Sequence, residues 1–190
     1  MTFVSKRTSV PENERQEVEH LISMLLESGE LPEKGWKTDS TVCEKALVMR
    51  SNSSSDGRED FVSSYVAKRV FRRLGSTDSL WLQVVRFPSS QDIATSISTL
   101  INSGQRDPRF KTLRLVAVDE EPLVNATNPC FFEESWKIFL RTGTSRRIGA
   151  NVETFGIFVG YSRNGDGRPW SEMRVFAESL AAKVRKQIQY

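Results

Sequence analysis

The chain is poor in the residues from which most catalytic and metal sites are built. Its 190 residues include one histidine, His20, and two cysteines, Cys43 and Cys130. A single histidine excludes a His-rich metal site and leaves Ser-His-Asp or Cys-His chemistry no base except His20 itself. His20 falls on an acidic, helix-patterned segment beside its apolar stripe, where a surface histidine with a carboxylate neighbour is the simpler reading. The cysteines are too far apart in sequence for a C-x-x-C redox pair or a zinc knuckle. No apolar run approaches the ~20 residues of a membrane helix. Met1 to Val10 carries Lys6 and Arg7 with no apolar stretch behind them, so no signal peptide is read there. A complete chain of this kind is expected in the cytoplasm with free thiols. A piece trimmed from a longer product would fit outside the cell, where Cys43 and Cys130 could pair.

Nucleotide and calcium signatures are missing too. There is no Walker A sequence and no G-x-G-x-x-G after a strand, and Asn164-Gly165-Asp166-Gly167 lacks the spaced carboxylates and closing Glu of a calcium loop. No cofactor and no metal is expected.

What is present belongs to a folded protein: 38% apolar and 27% charged residues, enough for one domain spanning 1–190 with a real core. The net charge of +3 is unevenly placed. Residues 1–64 carry 8 basic and 12 acidic groups, residues 65–190 carry 19 and 12. The basic clusters Lys68-Arg69, Arg72-Arg73, Arg146-Arg147 and Lys183 with Arg185-Lys186 lack interleaved aromatics, which speaks against nucleic acid as a partner.

Along the chain, Ser9-Val10-Pro11-Glu12 has the form of a capping box, and Val18, Leu21, Ile22, Leu25 and Leu26 follow at helical spacing. The pattern predicts a helix over 10–28 stopped by Gly29. Trp36 closes a loop and points at apolar surface. Val42 to Met49 alternates as a strand, and the Ser-rich stretch 51–58 reads as a mobile loop. Phe61 to Leu74 fits either a helical stripe or the first arm of a hairpin with Leu80 to Phe87; the turn residues Gly75 to Asp78 favour the hairpin. Ser89-Ser90 caps a predicted helix stopped by Gly104. Leu113 to Val118 and Phe131 to Arg141 read as strands, and Gly143 to Arg147 as a turn. One long strand, Asn151 to Tyr161, then leads through a Gly-rich turn into an amphipathic helix with Met173, Phe176, Leu180 and Val184 on its apolar face. The sum is an α+β fold: an antiparallel sheet of about five to six strands with three helices packed mainly on one face.

Two readings of function remain. The face of the sheet left uncovered would carry Trp81, Trp136 and Phe158, with Arg86 or Arg141 as a cationic handle, an arrangement suited to a small apolar or amphipathic ligand or a partner protein. Alternatively, a carboxylate such as those of Asp119-Glu120-Glu121 or Glu133-Glu134, or Tyr161, could act as acid or base in an enclosed pocket, making a small cofactor-independent cyclase or isomerase. Gly156 and Gly160, flanking Phe158, admit either a close-packed helix or a ligand.

Three segments add a resemblance: Leu31-Pro32 to Gly35-Trp36, Leu80 to Ser89 running into Ala94, and Asn151 to Tyr161 followed by Phe176 to Val184. Together they resemble actinobacterial sensor-type domains, a group that includes the extracellular domains of certain mycobacterial Ser/Thr kinases and related lipoproteins. The resemblance implies an α+β ligand-sensing module, generally without enzymatic activity. The chain departs from the kinase domains, which typically keep two disulfides, in having two cysteines and no visible leader or membrane anchor.

Overall fold

All six β-ladders run antiparallel and join seven strands into one sheet, in the order β1-β2-β3-β7-β6-β5-β4. A computed structural model describes residues 12–50, 60–87, 111–116, 122–138, 141–163 and 168–189. Helix α1 (Glu12–Ser23) precedes β1 (Trp36–Arg50), β2 (Asp60–Arg73) and β3 (Ser79–Arg86), a three-strand meander. Strands β4 (Lys111–Val116), β5 (Thr127–Ile138), β6 (Arg141–Val152) and β7 (Phe155–Arg163) form a second meander, and α2 (Trp170–Ile188) ends the chain. The ladder between β3 and β7 joins the two.

The strand alternation sets the layers. Leu80, Leu82 and Val84 of β3, Ile157, Val159 and Tyr161 of β7, and Ile148 and Ala150 of β6 all enter the main core, with Ala67 and Phe71 of β2. Both helices close this face. The apolar stripe of α2 (Met173, Phe176, Ala177, Leu180, Ala181, Val184) is fully buried over β7 and β6, as its 3.6-residue spacing requires. Leu21, Met24 and Leu25 of α1 and the following turn are equally buried over β2 and β1. Trp36 reaches the same core, edge-on to Tyr161 and Phe176.

Several expectations change. The sheet has seven strands rather than five or six, and the described residues carry two helices; the third, predicted after Ser89-Ser90, lies outside them, as do the capping box at Ser9, the Ser-rich stretch 51–58 and the Gly-rich turn at 164–167. Residues 60–73 are a strand, paired in register with both neighbours. Helix α1 ends at Ser23, ahead of Gly29. The supposed long strand 151–161 is a hairpin: Val152 pairs with Phe155 across a two-residue turn in which Glu153 sits at φ 55°. Gly143 to Arg147, read as a turn, lies inside β6. The second face of the sheet is also not bare, since Val66, Val85, Phe87 and Phe132 form a smaller buried cluster there.

Position in the sheet also separates the thiols. Cys43 lies on the edge strand and Cys130 five strands away, roughly 24 Å at the usual strand spacing, far beyond disulfide reach. Burial, aided at Cys43 by Glu17 and Glu44, pushes both thiols up to about 11, which suits unreactive packing groups.

Candidate functional site

The face opposite α1 and α2 brings together two of the six residues singled out in the sequence. Trp81 on β3 lies directly across from Gly160 on β7, and Phe158, one same-face step along β7, lies across from Gln83. The indole lies flat on Gly160: a Cβ there would stand 2.1 Å from Trp81 Cε2 and 2.4 Å from Nε1. The glycine is therefore required by the ring above it. Phe158 has glycines on three sides, Gly156 and Gly160 along its own strand and Gly149 opposite on β6. Both aromatic rings are half-buried.

Two cations converge on that indole. Lys68 Nζ stands 5.2 Å from the ring of Trp81, and the Arg147 guanidinium 5.1 Å from it and 5.9 Å from the Phe132 ring. The register explains this: Val70, Trp81, Gly160, Arg147 and Phe132 form one row across β2, β3, β7, β6 and β5. Cation–π contacts of this kind contribute about 0.5–2 kcal/mol each, depending on desolvation.

The other four expected residues do not join this row. Arg86 is on the helix side at the end of β3, exposed, 3.7 Å from Glu17 of α1; even-numbered residues of β3 face the helices. Tyr161 is buried on that side too, beneath the Arg168 guanidinium, 5.0 Å from its ring. Trp136 pairs with Gly143 and Arg141 with Ile138. Trp136 is four residues along β5 from Phe132, so its position is ~13 Å from the Trp81 row. The cations beside Trp81 are thus Lys68 and Arg147 in place of Arg86 or Arg141. Both stood in basic clusters of the sequence, but pairing them with Trp81 required knowing that 143–147 is strand.

The helix side holds a structural network. Arg168, just before α2, makes a bidentate pair with Glu33 (2.7 and 2.8 Å) and a bond to Glu172 (3.1 Å) while stacking over Tyr161 and Phe176. Arg146 bonds Glu133 at 3.2 Å and the Arg168 carbonyl at 2.7 Å and covers Trp170. At the other end Tyr65 donates its hydroxyl hydrogen to Glu14, which also takes Lys45. Burial alone would raise Glu33, but Arg168, then Trp36 and Arg73, more than reverse it and hold Glu33 below 4.5. Glu14 is lowered by hydrogen bonds from Lys45 and Tyr65. Glu30 is lowered as well, its burial outweighed by Lys183 and the Glu27 backbone. A carboxyl with a depressed folded-state value stabilises fully above its unfolded value and loses that contribution as pH falls through the folded one. The melting temperature should therefore hold near neutrality and drop as pH falls below 4.5, with Glu33→Gln removing part of the drop. A melting profile flat from about pH 7 to about pH 3 would contradict the assignment.

Among the described residues no cluster of three or more His, Cys, Asp or Glu could hold a metal ion, and no helix is long and apolar enough to cross a membrane.

Among the described residues the architecture is that of an α+β protein: one antiparallel sheet with both helices on one side and half-buried aromatics on the other. A solved structure similar in fold is the extracellular domain of PknH from Mycobacterium tuberculosis, at 11% identity and a TM-score of 0.52, covering 90% of this chain and 96% of that one. The likeness extends over nearly the whole of both chains and concerns the fold. No protein-family model and no curated protein matches the chain.

Proposed function

We propose that the chain is a single sensor-like module that binds a small apolar or amphipathic ligand, without catalysing a reaction, on the Trp81–Phe158 face of its sheet. The observation that carries this reading is the half-buried indole seated on Gly160 beside a glycine-ringed Phe158. Large aromatic surface left partly accessible over a floor of bare backbone is what a ligand can lie against. The shared fold with a kinase extracellular domain adds support by analogy only. An acid–base enzyme needs a carboxyl or phenol free to exchange a proton with its substrate. Of the groups the sequence offers for that role, Asp119, Glu120 and Glu121 lie outside the described residues, Glu133 is bonded by Arg146 at 3.2 Å on the helix side, and Tyr161 lies under Arg168 in the core.

A thermal-shift screen of small amphipathic compounds tests the proposal. Hits should raise the melting temperature of the wild type by mass action and do so far less in Phe158→Ser, itself checked for a cooperative transition. Hits whose shift is the same in that variant would place binding elsewhere.

A further inference from the structure

The row next to Trp81 is a line of hydroxyls. Ser79 pairs with Ser162 and Ser162 with Ser145, so β3, β7 and β6 present three adjacent serines. At ~4.8 Å between strands they span ~10 Å, one same-face step of ~7 Å from the Trp81–Gly160–Arg147 row. On the other side of that row come Lys68, Gln83, Phe158 and Gly149, again in register. The centre of this face therefore runs from hydroxyls, through two cations on one indole, to an apolar floor.

A cation set beside an accessible aromatic floor, as Lys68 is at 5.2 Å from the indole, attracts a counter-charge. Lys68 makes no ion pair among the described residues and rests against the indole alone. Arg147 supplies a planar fork suited to a carboxylate or phosphate. Serine hydroxyls add donors that suit the same oxygens.

We infer that the ligand of this face is an amphipathic anion: a single carboxylate or phosphate group held by Lys68, Arg147 and the hydroxyls of Ser79 and Ser162, with its apolar body over Phe158 and Gly149. This rests on the binding role proposed for the face and adds the charge and the orientation of what binds.

Calorimetric titration of the full chain with octanoate, octyl phosphate and octanol separates the two claims. The two anions should bind at least about tenfold more tightly than octanol, since charge-assisted hydrogen bonds are the strong ones. Lys68→Gln and Arg147→Gln should each weaken the anions about tenfold and leave octanol unchanged, and Ser162→Ala should weaken the anions less. The stronger of octanoate and octyl phosphate identifies the head group. Octanol binding as tightly as the anions, with Phe158→Ser abolishing all three, overturns the anion while leaving the face as a binding surface. Anion binding unchanged by Lys68→Gln, whose side chain is half-buried and whose loss should spare the fold, also overturns it. No binding of any probe, or binding indifferent to Phe158, overturns both.

Discussion

Alanine at Gly160 is expected to destabilise the protein by about 2 kcal/mol, a drop in melting temperature of roughly 4–8 °C for a chain of this size. The added methyl would stand 2.1 Å from the Trp81 ring, a distance that no small adjustment relieves. The strand cannot retreat, because β7 is held by β3 on one side and β6 on the other and carries core residues on its opposite face. The indole must therefore lift off the sheet, losing its packing on the backbone and its contacts with Lys68 and Arg147. The decisive measurement is a double-mutant cycle. With Trp81 already replaced by alanine, Gly160→Ala should be nearly neutral, giving a coupling of at least about 1 kcal/mol. Additive effects would mean that the glycine is there for some other reason.

A larger loss is expected at Arg69. This side chain is 5% exposed and sits on the helix side of β2. It donates to the carbonyls of Leu25 and Leu26 at 3.3 and 2.9 Å and to the Thr41 hydroxyl at 2.8 Å, and it meets Glu27 at 2.8 Å. Those carbonyls lie in the turn just beyond α1, outside any helical or strand ladder. Arg69→Met would keep much of the apolar stem's volume but strand buried acceptors, each at a cost of about 1–3 kcal/mol. Glu27 is 61% exposed and would be rescued by water, so the carbonyls dominate. The expected sum is about 3 kcal/mol, roughly 6–12 °C in melting temperature. Denaturant unfolding should show the midpoint falling without a change of slope. Hydrogen exchange should locate the weakening in α1. A variant within 1 °C of wild type would show that water or a neighbour already satisfies those carbonyls.

The elements that could be read from the sequence are those with one dry face and one wet face. β3 alternates buried and half-exposed residues along nearly its whole length, and the apolar stripe of α2 supplies its buried set, with Ile188 at the end of the stripe only partly buried. The hairpin between β6 and β7 was hidden for two local reasons. Its turn is Glu153-Thr154, with neither Gly nor Asn at the left-handed position, and Thr154 is anchored instead by its carbonyl accepting from the Phe87 amide at 2.8 Å. The polar run 143–147 disguised β6. Its polarity reflects partners that are distant in sequence: Arg146 faces Glu133 and Trp170, while Arg147 faces Trp81 and Phe132. The same blindness shaped the candidate site. Trp81 and Phe158 could be placed together because their strands are regular, but their cations could not be chosen without the β6 register. Tyr161 and Arg86 fell on the wrong side by the parity of β7 and β3, which a pattern fixes only once the buried face is known.

The ladder between Ser79–Arg86 and Phe155–Ser162 carries a kinetic consequence. Every other ladder joins segments that follow one another along the chain, so each can zip from a local turn. This one waits until residues 87–154 have been traversed and a large ring closed, at an entropic cost that near-neighbour hairpins avoid. The two meanders should consequently gain protection early and as separate units, and the amides of β3 and β7 that bond across the ladder between them should be the last to become protected in a refolding time course.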